Sequence, residues 1–270
     1  MSVIGRRNQA LKRAEINQIR QDLRSWYTRY VGRTLRKLER RALVPVLKTL
    51  FGYHAIQVGT LLGDDLLSTS RIAHRLVMDP DKNGNKSSAA YAYPDALPVL
   101  SDSVDLVVLP HTLEFERAPH EILREVDRVL IPEGHVVIMG FNPWSLWGAT
   151  SFILRRRKEN TPPWCGHFLT LTRLKDWLAL LGFEVVEVKM MFYRPPIQQR
   201  GIMRRLRFIE KIGARFFPNF GGVYMLVAQK RVTTLTPIKP RWRPRRSLVG
   251  KWGEASAHTR QTKNKPEESN

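Results

Sequence analysis

The sequence predicts an α/β protein, a mostly parallel sheet wrapped by helices, and three observations carry that prediction. From His54 to about Lys230 short apolar runs alternate with amphipathic ones, the pattern of repeated β-α units. One run, VDLVVL (Val104–Leu109), is continuously apolar, as a strand covered on both faces is. The first run, HAIQV, leads into Gly59 and then Gly63, the way a loop that receives a nucleotide-type cofactor begins.

In chain order, residues 1–50 form a basic helical extension. Leu11, Ile16, Ile19, Leu23, Trp26, Tyr27 and Tyr30 share one helical face, with arginines on the other. A second helical run, Leu35 to Leu50, follows Gly32, and Pro45 marks a kink or a new start. Such a helix packs across the main domain, or lies on a membrane or nucleic acid. The main domain spans 51–230. HAIQV is a buried strand, Gly63 to Ile72 a helix, and HRLVM (His74–Met78) a strand that Asp79-Pro80 ends. DKNGNKSS is a loop, AAYAY a third strand and VDLVVL the next. Pro119 to Leu130 is a helix with proline in its first turn. IPEGH turns into the strand VVIMG. LTLTRLKDWLALLG is a helix that Thr170 or Thr172 caps and Gly182 ends. FEVVEVKMM alternates as a strand, a basic insertion covers 191–221, and Gly221-Gly222 precedes the last strand, VYMLVAQK. Residues 231–270 lose all periodicity and read as a disordered basic tail.

Net charge is +21 over 270 residues and unevenly placed: +10 over 1–50, −6 over 51–150, +9 over 151–229 and +8 over 230–270. The half with the glycine loop is acidic and everything around it basic. That distribution attracts polyanions such as RNA, unless it is only a solubility bias. Cys165 is the one cysteine, which rules out a disulfide framework and points to a reducing, cytoplasmic setting. No apolar run approaches the ~20 residues of a membrane helix. The charged start, MSVIGRRNQALKRAE, has no apolar stretch behind it and does not read as a signal peptide.

The ligand site of an open α/β sheet lies beyond the carboxyl ends of its strands. Gly59 and Gly63 follow the first strand and Asp79 the second. Asp95, in YPDALPVL, precedes the Val104 strand, and His111 and Glu114, in LPHTLEFE, follow it. An acid about twenty residues past a glycine loop is placed to accept hydrogen bonds from a ribose diol. Thr60, Leu61 and Leu62 crowd the approach that a pyrophosphate needs, and GTLLGDD adds two acids without a lysine, so a phosphate ligand is disfavoured. A cofactor with a ribose and a positive charge but no phosphate suits the acidic half. Singly, each of these residues is as well explained by a capped turn or a strand-end hydrogen bond; their combination in order points to a cofactor. NPW (Asn142–Trp144) follows the fifth strand, so it does not match the Asn-Pro-Pro-aromatic element of amino-methylating nucleic-acid enzymes, which follows the fourth. Trp144 and Trp147 wall a substrate pocket or belong to the core. WCGHF offers too few ligands for a metal. The arginine and phenylalanine mixture of the insertion suits an acidic or aromatic substrate, RNA, or a solvated helix face.

From about Phe51 to Lys230 the chain resembles a class I S-adenosylmethionine-dependent methyltransferase of the ubiquinone-biosynthesis-like, type 11 group. The likeness is strongest over DALPVLSDSVDLVVLPHTLEFERAPHEILREVDRVLIPEGHVVIMGFNP. The group's acid-Ala-Leu-Pro, Ser-(Phe/Val)-Asp-Leu-Val, leucine-glutamate turn, LREVxRVLxPGG helix and strand ending in Asn-Pro occur there in order. FGYHAIQVG resembles a bacterial subgroup with Gln57 in place of the usual acid. The resemblance implies a Rossmann-like sheet of seven strands, S-adenosylmethionine as cofactor and an unidentified methyl acceptor. By position it implies that Gln57, Gly59 and Gly63 line the methionine and ribose, that Asp79 holds the ribose hydroxyls, and that Asp95 with Ala96 meets the adenine edge. His111 would face the methyl group, and His111, then Glu114, are the candidate bases. The chain departs from the group at Leu61, where a glycine is usual, and at Glu133-Gly134, where Gly-Gly is usual. The alternative is a methyltransferase fold that has lost catalysis and binds nucleic acid or protein through its basic surface. Cofactor binding with turnover separates the two.

Overall fold

The structure, a computed structural model, describes residues 16–60, 65–81, 89–156 and 163–232. Its strands are β1 (His54–Val58), β2 (His74–Asp79), β3 (Ala90–Tyr91), β4 (Val104–Pro110), β5 (Leu130–Phe141), β6 (Phe183–Met191) and β7 (Val223–Lys230). They form a seven-stranded sheet in the order β3-β2-β1-β4-β5-β7-β6. Strands β1 to β5 pair in parallel, whereas β7 is antiparallel to both β5 and β6. The order reverses between β1 and β4, which places the ligand crevice at their carboxyl ends.

The helices are α1 over 16–27, α2 (Tyr30–Thr49), α3 (Pro119–Val129), α4 (Leu146–Arg156), α5 (Leu171–Leu180), α6 (Arg200–Arg205) and α7 (Arg207–Phe216). Alternate residues of a strand face opposite sides, and β4 shows why its run is apolar throughout. Leu106 and Val108 join α1, α2 and Trp147 of α4 in one core, while Val107 and Leu109 join α3 and α5 in the other. The N-terminal helices are thus part of the first core: Leu23, Trp26, Tyr27, Val31, Leu35, Leu43 and Leu47 are all buried in it. All described residues fall in one unit, Met1–Thr233. The tail expected to be disordered lies, from 233 on, outside the described residues.

Several elements differ from expectation for local reasons. In place of a helix from Gly63 to Ile72 there is a 3-10 turn, Leu66–Thr69, with 61–64 outside the described residues. Side chains intercept the donors an α-helix would use: Gln57 accepts from Leu66 N at 2.8 Å and Asp65 from Leu67 N at 2.9 Å. Gly32 does not separate the first two helices, because the break falls at Thr28–Arg29 and Gly32 lies inside α2. It is needed at the corner, since a Cβ there would stand 2.5 Å from Tyr27 Cα. Pro45 also lies within α2, which runs on to Thr49. The IPEGH segment is absorbed into β5, and Glu133 adopts φ +63, the left-handed conformation for which a glycine is the usual choice. α4 was not foreseen, because its aromatic residues read equally as pocket wall. Thr170 does cap α5, accepting from Arg173 N at 3.3 Å, and Gly182 follows its last turn with φ +80.

Candidate functional site

The loop after β1 is held by Gln57, which is fully buried. Its Nε2 donates to the Gly59 carbonyl at 3.0 Å while Oε1 accepts from Leu66 N. A carboxylate could make the second bond but not the first, which accounts for an amide where an acid is usual. Gly59 has φ +90, and a Cβ on it would lie 3.0 Å from Thr112 Oγ1 and 3.6 Å from Arg20 Nη1. Thr112 Oγ1 donates to the Val58 carbonyl at 2.7 Å, tying the end of β4 to the end of β1. Gly63 and Leu61 lie outside the described residues.

Asp79, at the end of β2, is 1% exposed. One oxygen accepts from Arg24 Nη2 at 2.8 Å, from Thr60 N at 3.1 Å and from the Thr60 hydroxyl; the other accepts from Asp81 N at 2.9 Å. Arg24 also pairs with Asp81 at 2.6 Å. One helical turn earlier on α1, Arg20 pairs with Glu116 at 2.6 Å. Its Nε is buried and has no hydrogen-bond partner among the described residues, an unmet donor that an anionic group would satisfy. Asp95 sits at the tip of the Tyr93–Ala96 turn, where Ala96 N donates to the Tyr93 carbonyl at 3.1 Å. Beside it a cavity of about 200 Å³ is lined by Pro80, Tyr93, Pro94, Asp95 and Ile122, together with Ile16 and Asn17 of α1.

His111 follows β4 with φ +49 and is buried. Its Nδ1 lies 2.9 Å from Glu114 and its Nε2 2.7 Å from Glu39 of α2. Burial alone would lower the imidazole pKa, but Glu114 and Glu39 outweigh it and raise it to about 10. The ring is therefore an imidazolium across the neutral range, with a proton on each nitrogen. Glu114 accepts from Phe141 N through its other oxygen, and Tyr27 donates to Glu39 at 3.4 Å. The Tyr27 hydroxyl is pushed up by burial and by both glutamates, and that of Tyr224 by burial and Glu114. Phe141 closes the cluster, its ring 4.3 Å from that of His111.

Gly59, Asp79, His111 and Glu114 thus stand together at one end of the sheet, and Asp95 lines the cavity beside them, with Ala96 next to it in the same turn. Sequence reasoning missed Arg20, Arg24, Tyr27 and Glu39. A signal was present: Arg20 and Arg24 are four residues apart on a helix whose apolar face includes Ile19 and Leu23, so they border that face. Glu39 is the one acid between Tyr30 and Leu50. The set fits a ligand with a flat ring, a vicinal diol and a charged amino-acid end. The cavity is sized for the ring, Asp79 accepts from hydroxyls as it does from Thr60, and Arg20 Nε awaits an anion.

A family model described as a methyltransferase domain matches residues 73–138. YafS of Escherichia coli K12 is 33% identical over 210 residues, which is 77% of this chain and 82% of YafS. Rv2003c of Mycobacterium tuberculosis is 28% identical over 180 residues, 64% of this chain and 61% of that protein. Among solved structures, a chain of the Haloferax volcanii complex with the Trm112 methyltransferase activator matches with a TM-score of 0.54 at 15% identity, covering 79% of this chain and 98% of that one. A SAM-dependent methyltransferase from Thermotoga maritima matches with a TM-score of 0.52 at 15% identity, over 75% and 96%. These two likenesses concern the fold.

Proposed function

Because the chain belongs to the class I S-adenosylmethionine-dependent methyltransferases, we propose that it transfers the methyl group of that cofactor to an acceptor bound on the α4 and α7 side of His111. The observation that carries this reading is the convergence of Gly59, buried Asp79 and the Asp95 cavity at the β1–β4 switch point. When bound, S-adenosylmethionine supplies an electrophilic methyl on a sulfonium, whose sulfur keeps the bonding electrons and leaves as a neutral thioether. The protein's own residues bind, align and exclude water. Asp79 holds the ribose hydroxyls, Asp95 and Ala96 the adenine edge, and Arg20 Nε the carboxylate of the methionine part. Asp79 takes up that role as Arg24 and Thr60 release it, so binding loosens α1 at Arg24. Glu39, His111 and Glu114 wall the methyl position with two carboxylates for one imidazolium, an excess of negative charge that favours a sulfonium. As an imidazolium His111 has no free nitrogen lone pair, so it accepts a proton only after passing one of its own to Glu39 or Glu114. Acceptors that attack as a free amine or as an already ionised oxygen or sulfur therefore suit the site best.

Calorimetry with S-adenosylmethionine and with its demethylated product tests this. Wild type should bind both, and Asp79→Ala should weaken binding by about tenfold or more, the loss of hydrogen bonds to a charged group. No heat from folded wild type at high cofactor concentration overturns the reading. Transfer of labelled methyl to fractionated cell extract then separates an enzyme from a fold that binds cofactor without turnover.

A further inference from the structure

We propose that the face built by α4, α7 and the 217–220 turn seats the protein on an anionic phospholipid bilayer. α7, RFIEKIGARF, carries two exposed stripes side by side. Phe208, Ile212 and Phe216 recur every fourth residue, and Arg207, Lys211 and Arg215 stand immediately before each of them. The opposite side of the helix is what packs on the protein: a Cβ on Gly213 would meet the Tyr193 ring at 2.5 Å, and Glu210 pairs with Arg194 at 2.7 Å. The apolar stripe thus points away from the core. Phe152 of α4, Trp144, Phe217 and Phe220 line one cavity with Ile209 and Gly213 of α7, and all four are exposed, with Trp144 at 70% and Phe216 of the stripe at 71%. A contiguous apolar face of this kind on a water-soluble surface marks an interaction site.

Charge selects the partner. Residues 200–217 hold six basic side chains and one acid, and that acid, Glu210, is taken by Arg194. Arg156 of α4 lies over Phe152 at 4.4 Å and adds a further cation at the edge. Aromatic and aliphatic side chains rimmed by Arg and Lys are the composition of a helix lying in the lipid headgroup region, where the rings enter and the cations remain with the phosphates. A nucleic acid would use the rings and cations but would leave Ile212 without an apolar partner. No helix among the described residues is long and apolar enough to cross a membrane, so the contact is with the surface. A cavity of about 950 Å³, walled by Trp144, Phe152, Phe168, Ile209, Phe217 and Phe220, opens within this face and offers a lipid chain a place to enter.

Flotation of the full-length protein with vesicles tests the proposal, comparing phosphatidylcholine alone with an equimolar mixture of phosphatidylcholine and phosphatidylglycerol. Wild type should float with the mixed vesicles and not with the neutral ones. The double variant Phe208→Ser/Phe216→Ser should bind the mixed vesicles about tenfold or more weakly, as two lost aromatic insertions imply. Both positions are exposed, so the variant should keep the wild-type melting temperature and cofactor affinity, which separates this proposal from the assignment of the cofactor site. Arg207→Gln/Lys211→Gln/Arg215→Gln should bind weakly and lose most of its salt dependence. Failure of wild type to float with anionic vesicles at low salt overturns the proposal. So does equal flotation of the Phe double variant, which would assign binding to charge elsewhere in the chain. Loss of RNA binding in these variants with vesicle binding unchanged would assign the face to nucleic acid instead.

Discussion

Asp79 accepts four hydrogen bonds before any cofactor reaches it, and one of the donors is a guanidinium from its own chain. Arg24 and a ribose therefore compete for the same carboxylate, and the apparent affinity for cofactor is reduced by the fraction of molecules in which Arg24 holds it. Arg24→Gln should tighten S-adenosylmethionine binding roughly threefold or more by calorimetry, while lowering stability by about 3 kcal/mol because Asp79 and Asp81 lose their buried cation. Weaker binding in the folded variant would instead make Arg24 part of the site's wall. His111 gives a second prediction. Its pKa, about 10 in the folded protein, stands above the unfolded value of roughly 6.5. The stabilisation is fully present below the unfolded pKa and is lost as pH rises towards 10, since the unfolded chain has by then released the proton. Urea unfolding should show wild type losing stability between about pH 6.5 and pH 10, and His111→Gln should remove that part of the slope. The sequence made Asp79 and His111 legible as site residues, because spacing past a glycine loop and position after a strand are local properties. It could not show that Arg24 and Glu39 reach them, since those contacts span 55 and 72 residues.

At the scale of elements, the corner between α1 and α2 decides where Arg20 and Arg24 stand. Gly32 permits it by letting α2 approach Tyr27 Cα and the Trp26 carbonyl, which a Cβ would meet at 2.5 and 2.7 Å. Both are backbone atoms and cannot swing aside. Gly32→Ala should destabilise the protein by about 2 kcal/mol in urea, as other overpacked sites do. It should also shift cofactor affinity although it touches no ligand; wild-type stability would show that the corner relaxes freely. β1 and β4 were legible nearly to the residue because a sheet buried on both faces leaves unbroken apolar runs there, whereas β5 begins at Leu130, well before the expected VVIMG. The helices on either side were harder. At Gln57 and Asp65, side-chain bonds replaced the backbone ladder that periodicity implies, and α4 hid in a segment whose tryptophans suggest a wall before a helix.

For the whole molecule, every described residue lies in the unit Met1–Thr233, and both cores lie within it. Removing Thr234–Asn270 should therefore leave the melting temperature unchanged to within about 2 °C, far less than loss of a core element would cause. If those residues, with Arg241, Arg243, Arg245 and Arg246, also bind polyanions, truncation should flatten the salt dependence of RNA affinity. Equal slopes would mean they do not. Topology was legible in its parallel half, where β-α alternation dictates it, and not at β7, whose place between two earlier strands depends on contacts far apart in the chain. That place has a consequence for synthesis. β5 and β6 are made before the strand that joins them, so until Val223–Lys230 emerges from the ribosome each presents a row of unpaired amides and carbonyls. β6 carries Glu184, Glu187 and Lys189 among its apolar residues, and these charges guard a strand that has no partner until the last strand arrives and that remains the edge of the finished sheet.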